Sequence, residues 1–338
     1  MFVALHDLRH ARGRFAIITI TVALMATLVS FLSGLTGGLT HQTISGLSAT
    51  DADTIIVQGT EDPSIDRSHL DGLTTAALLA DNPTATAVTV KRTQLQGTAV
   101  SLLQLTPGAA AGSTLGDLPI VAPGNIALSA PLQRDLGVEV GDTVTVGSTT
   151  YTVVDPLADL WLNHAPIAVT AGTEGTDTTL LALAAGVTPQ LIDNTQQVSG
   201  GDIPLSLAAY AAEHTSLSMI NLMLVLITGL ITGAFFVVWT MQRSRDIAVM
   251  KALGATTASI CRDALGQAAI IVLVGIAAGV SITLVSATAI GDGLPFVVTT
   301  STTLLPAGLM LFLGLAGAAT SLVLIGKAQP LQALQQNA

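Results

Sequence analysis

The sequence predicts a membrane protein with four transmembrane α-helices and a large α+β extracytoplasmic domain between the first helix and the second. Half of the 338 residues are hydrophobic and only 10% are charged, which is unlike an ordinary soluble domain. Four windows of about 20 residues or more lack Lys, Arg, Asp and Glu, and a helix of that length crosses a bilayer core of roughly 30 Å. The long remaining segment, 39–215, is rich in Thr, Asp and Gly and alternates apolar with polar positions.

The boundaries of the segments follow from charge and hydropathy along the chain. We predict transmembrane helices over residues 15–38, 216–240, 263–291 and 303–326. Four further segments flank or connect them: a cytoplasmic amphipathic N-terminal helix (1–14), a cytoplasmic coupling loop with a short helix (241–262), a short outer loop (292–302) and a cytoplasmic tail (327–338). A simple basic segment that precedes the first span is an equally good interpretation of residues 1–14. The first apolar run exceeds the roughly 7–15 residues of a signal peptide and lacks an A-x-A cleavage site, so we expect it to be retained.

The distribution of positive charge predicts the orientation in the plasma membrane. Lys and Arg near the ends of spans are retained in the cytoplasm. Eight of the twelve Lys and Arg residues fall on one side of the predicted spans: Arg9, Arg12, Arg14, Arg243, Arg245, Lys251, Arg262 and Lys327. The large domain holds the other four, with eighteen of the twenty-two acidic residues. We therefore expect both termini inside, the domain outside, and no nucleic-acid partner, because nucleic acid requires a basic face.

The large domain shows strand and turn signals but no catalytic set. The runs VTV and YTVV around Gly147-Ser148 predict a hairpin, and residues 68–90 predict a helix followed by a strand, with Asn82-Pro83 as the break. His69 and His164 stand alone in the sequence, and no G-x-S-x-G, H-E-x-x-H or C-x-x-C motif occurs. We expect the scattered acids to form a solvated surface, and the chain not to be an enzyme or to hold a metal.

The loop after the second span, RSRDIAVMKALGAT, predicts a short amphipathic helix. Ile247, Met250 and Leu253 recur at helical spacing, and Gly254 follows them as a helix stop. Such a helix suits docking to a partner. The alternative is a connector that only obeys the charge rule, but a connector does not need the apolar stripe.

This loop, the segment NIALSAPLQRDLGVEVGDTVTVGSTTYTVV and the closing KAQPLQALQ resemble the FtsX/MacB-type permeases of ATP-binding-cassette (ABC) transporters. Asp246 stands where that family usually has Glu. The resemblance implies a homodimer in membrane lipid, served by two copies of a cytoplasmic ABC ATPase. The chain has no G-x-x-x-x-G-K-[ST] motif, so ATP would be hydrolysed by that separate subunit. The implied contacts of the coupling helix are Arg243, Arg245, Asp246, Ile247, Met250 and Lys251.

The single large outer domain and short loops most resemble the haem-exporting members of the family, with haem as substrate and no permanently bound cofactor. Haem iron takes axial ligands such as His, Met or Tyr. Candidate ligands cluster at the outer end of the second span and in the first span: Glu213, Met25, Met219, Met223, Tyr210 and His214. The alternative for the methionines is ordinary packing. Other hypotheses are export of drugs, peptides or lipids, and a non-transporting mechanotransmitter that regulates a cell-wall hydrolase.

Overall fold

The computed structural model describes residues 12–59, 61–242, 249–251, 253–291 and 294–326. The α-helices with defined bounds in these ranges are α1 (Arg12–Ser48), α2 (Gly72–Asp81), α3 (Ala130–Leu136), α4 (Asp202–Leu205), α5 (Ala208–Gln242), α6 (Thr257–Ile290) and α7 (Thr300–Gly326). The chain forms two compact units. Residues 39–216 are called the α+β domain, and the described residues before and after them are called the membrane unit.

Four helices, α1, α5, α6 and α7, are long and apolar enough to cross a membrane, which confirms a multi-pass membrane protein. Each helix begins before its predicted span. The largest difference is in α1, which continues to Ser48, ten residues beyond the predicted limit of 38. Helical hydrogen bonding does not stop where hydrophobicity stops, so hydropathy alone does not locate the helix end. The predicted N-terminal helix (1–14) and tail (327–338) lie outside the described residues, except that Arg12 begins α1.

Small residues allow close helix contacts in the membrane unit. A Cβ atom added to Gly279 of α6 would lie 2.5 Å from the carbonyl oxygen of Ala23 in α1, so this contact requires glycine. Thr27 of α1 donates a hydrogen bond from Oγ1 to the Gly279 carbonyl at 3.3 Å, close to the packed glycine. Gly233 of α5 and Gly317 of α7 meet backbone to backbone. Backbones that approach so closely gain packing contacts that lipid does not supply.

The α+β domain is built on one sheet. Its strands are β1 (Thr54–Gln58), β2 (Thr86–Leu95), β3 (Thr98–Pro107), β6 (Asn125–Leu128), β7 (Thr143–Val146), β8 (Thr149–Val153), β9 (Trp161–Leu162), β10 (Ala165–Ala171), β11 (Leu180–Leu183) and β12 (Thr195–Ser199); β4 (Thr114–Leu115) and β5 (Leu118–Pro119) form a separate pair. The strand order is β12-β1-β11-β2-β3-β10-β6-β8-β7, and β7 pairs back to β2 at Leu95 and Val146. Six strands therefore close into a ring around an apolar core, in the order β2, β3, β10, β6, β8 and β7.

The local predictions for this domain are confirmed. β7 and β8 form the hairpin, and only Gly147 of its two turn residues has positive φ (+61°), as a type II′ turn requires. Residues 72–81 form α2, Asn82 ends it by donating from Nδ2 to the Leu78 carbonyl, and β2 follows. The sheet and its helices match the predicted α+β class.

Candidate functional site

Glu213 lies on the part of α5 that belongs to the α+β domain, and two side chains hold its carboxylate. Oε1 is 2.9 Å from Nε2 of His164. Oε2 is 3.2 Å from Oγ1 of Thr43, on the part of α1 in the same domain. The Thr43 hydroxyl is also 2.8 Å from the Leu39 carbonyl, so its single proton serves one of two acceptors. The His164 and Glu213 side chains are 37% and 38% exposed, so the carboxylate is positioned but open to solvent.

A tight turn brings His164 to this position. Leu162 of β9 pairs with Ala165 of β10, and the two residues between them, Asn163 and His164, have φ of +51° and +60°. Two consecutive positive φ values define a type I′ turn, in which the second residue is usually Gly. A residue with a Cβ atom pays about 1–2 kcal/mol for the left-handed conformation. His164 therefore occupies a strained position, and residues under strain often have a functional role.

Hydrogen bonds to α1 fix this turn in place. The backbone N–H of Asn163 donates to the Thr43 carbonyl at 3.0 Å, and the N–H of His164 donates to the Gln42 carbonyl at 2.9 Å. On the other side, Asn163 Nδ2 donates to Asp66 Oδ1 at 3.2 Å. Asp66 Oδ2 accepts the backbone N–H of Ala208, the first residue of α5, at 2.8 Å. The turn and the helix that carries Glu213 are thus tied to each other through Asp66.

Two expectations from the sequence need correction here. His164 does not stand alone, because it pairs with Glu213 across 49 positions of sequence. His69 does not stand alone either, because its Nε2 is 3.3 Å from Asp177 Oδ2. Nor is Asp66 merely a solvated charge, since it links the turn to α5. Pairs so distant along the chain follow no spacing rule, so local patterns did not reveal them.

The other predicted ligands divide between the two units. In the α+β domain, the rings of Tyr210 and His214 stack on each other with centroids 4.9 Å apart and planes inclined at 24°. In the membrane unit, Met219 and Met223 are 57% and 48% exposed, one helical turn apart on α5. Met25 of α1 is partly buried and packs against the apolar core of that unit.

The predicted coupling segment is described only in part. Arg243, Arg245, Asp246 and Ile247 lie outside the described residues, whereas Met250 and Lys251 are helical. Gly254 has φ of +95° and ends the helix as predicted. Its N–H donates to the Lys251 carbonyl and the N–H of Ala255 donates to the Met250 carbonyl, the two bonds of a Schellman motif.

One polar contact in the membrane unit was missed by the sequence reasoning. Asn221 of α5 lies 3.4 Å from Thr36 of α1, from Nδ2 to Oγ1. Its Oδ1 is buried and has no hydrogen-bond partner among the described residues. The single Asn in this apolar span was a signal in the sequence for such a polar contact, because a polar group within the membrane is costly without a partner.

Comparison with known proteins shows which proteins the chain is similar to. Residues 218–330 match the family described as the FtsX-like permease C-terminal domain. The whole chain is similar to a Staphylococcus epidermidis protein named as a hemin transport system permease, HrtB, with 25% identity over 99% of both chains. A Staphylococcus haemolyticus protein of the same name is 24% identical, again over 99% of both. The match over residues 218–330 and the similarity along the whole chain confirm the predicted resemblance to permeases of ABC transporters.

Proposed function

We propose that the chain is the permease subunit of an ATP-driven ABC efflux pump that exports haem for detoxification. The observation that carries this proposal is the similarity, along 99% of the chain, to permeases named for hemin transport. The membrane unit suits an amphipathic cargo, because its long helices leave large apolar side chains exposed along α1 and α5. A planar porphyrin with two carboxylates is such a cargo.

Glu213 is the proposed iron ligand with the best structural support. Its carboxylate is accessible, and it is held by a hydroxyl and an imidazole rather than by a cation that is always charged. Exchanging such partners for a ferric ion requires only modest rearrangement, since half-exposed ion pairs contribute about 0–1 kcal/mol. Tyr210 and His214 are the other proposed ligands in the same domain, and Met25, Met219 and Met223 remain proposed ligands within the membrane unit.

Titration of the purified permease with ferric haem tests the proposal directly. We expect a saturable Soret shift for the natural chain and an affinity at least about tenfold lower for Glu213→Gln. Glu174→Gln is the matched control, because Glu174 is an exposed glutamate of the same domain and its loss should leave the titration unchanged. The absence of any Soret shift in the natural chain rejects haem as the cargo, and equal titrations for both variants reject Glu213 as a ligand.

We further propose that two permease copies assemble with two copies of a cytoplasmic ATPase, with both permease termini inside. Arg243, Arg245, Asp246, Ile247, Met250 and Lys251 are the proposed contacts with the ATPase. Reversing Arg245 and Lys251 to Glu should leave the protein in the membrane but abolish stimulation of the ATPase, because the basic docking face becomes acidic. Arg134→Glu, a reversal in the α+β domain, serves as the control. Normal stimulation by the double variant would disprove this docking role.

A further inference from the structure

A cavity in the α+β domain lies beside residues 89–92 of β2. Its volume is about 710 Å³, within the range of ligand sites. It is lined by the middle of β2, the segment around Ser68 and the loop before β11. Glu213 is not among its lining residues.

The cavity lies along an open stretch of sheet edge. β2 pairs with β3 along its whole length. On its other side, β11 pairs only with residues 86–88 and β7 only with Leu95. Residues 89–94 of β2 therefore have no neighbouring strand on that side among the described residues, and the space that a strand would fill is part of the cavity.

The backbone N–H and carbonyl of Arg92 point into this gap without a described hydrogen-bond partner. The Val88 carbonyl accepts the Thr179 N–H, and the Val90 N–H donates to Thr179 Oγ1, so alternate residues of β2 direct their backbone away from β3. By this alternation, the N–H and carbonyl of Arg92 face the gap, and no described residue bonds to them there. An edge with free backbone groups accepts an extended peptide as an added strand.

Charged groups of both signs line the cavity, and those with the most free hydrogen-bonding capacity are the two cations, Lys91 and Arg92. Its two acids already have donors: Asp66 accepts Asn163 Nδ2 and the Ala208 N–H, while Asp177 accepts the Gly72 N–H and lies beside His69. Both cations lack an acidic partner within the described residues. Lys91 makes no ion pair, and the Arg92 guanidinium donates to the neutral Asn163 carbonyl at 3.0 Å. In a domain with eighteen acids and four Lys and Arg residues, two cations without acidic partners among the described residues, one on each face of β2, suit the binding of anionic groups.

We propose that this cavity binds an extended peptide segment that carries carboxylates, presented by a protein partner on the same side of the membrane as the α+β domain. The peptide backbone pairs with Arg92 along the open edge of β2. One carboxylate of the peptide binds Lys91, and a second, on the opposite face of the added strand, binds the Arg92 guanidinium. Backbone pairing provides affinity, and the charged contact selects acidic segments.

The test uses pools of synthetic hexapeptides and the full-length permease in detergent, without haem. One pool has Asp at two fixed positions and Val, Ile or Thr elsewhere. A second pool has Lys at the fixed positions, and a third repeats the Asp pool with N-methylated backbones. We expect the Asp pool alone to slow hydrogen exchange at residues 89–94, by about tenfold or more.

Substitution of the two cations provides the second measurement. Lys91→Gln with Arg92→Gln should weaken binding of the Asp pool by about tenfold or more, whereas Arg134→Gln should not. Protection by the Lys pool or the methylated pool, or full binding by the double variant, overturns the proposal. Equal protection by free glutarate also overturns it, because the site would then serve small dicarboxylates. If no pool gives protection, the proposal is wrong.

Discussion

The backbone strain at His164 gives a prediction with two variants that remove the same imidazole. His164→Ala keeps a Cβ atom at φ of +60°, whereas His164→Gly does not. Both variants lose the contact with Glu213. The difference in stability between them therefore comes from the left-handed backbone conformation in the folded state and from the greater freedom of Gly in the unfolded chain.

The expected magnitudes follow from exposure and dihedral angle. The His164 and Glu213 side chains are 37% and 38% exposed, so the pair contributes about 0–1 kcal/mol. The Cβ atom in the left-handed region costs about 1–2 kcal/mol, an amount that the greater freedom of unfolded Gly partly offsets. We expect His164→Ala to lower the free energy of unfolding by up to about 1 kcal/mol. We expect the free energy of unfolding of His164→Gly to exceed that of His164→Ala by about 1 kcal/mol, which brings it close to the value of the natural chain.

Tryptophan fluorescence provides the assay. The chain has two tryptophans, and Trp161 lies in β9 next to the turn. In a Trp239→Phe background, urea unfolding followed by Trp161 emission reports on the α+β domain. Equal unfolding free energies for the Ala and Gly variants would refute the reasoning, because the left-handed conformation would then carry no cost.

Two further predictions concern helix packing and pH. Gly279→Ala should destabilise the membrane unit by about 1–3 kcal/mol, because the new Cβ meets the Ala23 carbonyl oxygen. Gly266→Ala, on the same helix but facing open space, should stabilise the unit by about 0.5–1 kcal/mol. Thermal unfolding in detergent measures both changes, and a change of the same sign for both variants contradicts the prediction. The backbone N–H and hydroxyl of Thr74 lower the pKa of Asp71 below its usual value. The stability that the Asp71 carboxylate adds should be fully present above pH about 4 and should be lost as the pH falls through the lowered pKa. The difference in the free energy of unfolding between the natural chain and Asp71→Ala should therefore shrink on acidification. A difference that stays constant would show that the charged cap is unimportant.

Several features were predictable because they depend on neighbours in sequence. Charge-free windows predicted the four spans, since a bilayer core excludes unpaired charge whatever the fold. The turn at Gly147 and the helix stop at Gly254 were predictable because positive φ favours glycine. The close contact of Gly279 with Ala23 was not predictable in this way, because the sequence does not say which helix lies beside α6.

The sequence by itself determined the membrane class, the number of spans and the α+β domain, because hydrophobic burial and turn preference act over short stretches of chain. Only the tertiary structure decided that Thr43, His164 and Glu213 meet, and that β2 keeps an open edge beside Lys91 and Arg92. These arrangements depend on strand order and on contacts between distant segments, and such contacts form only when the whole domain has packed.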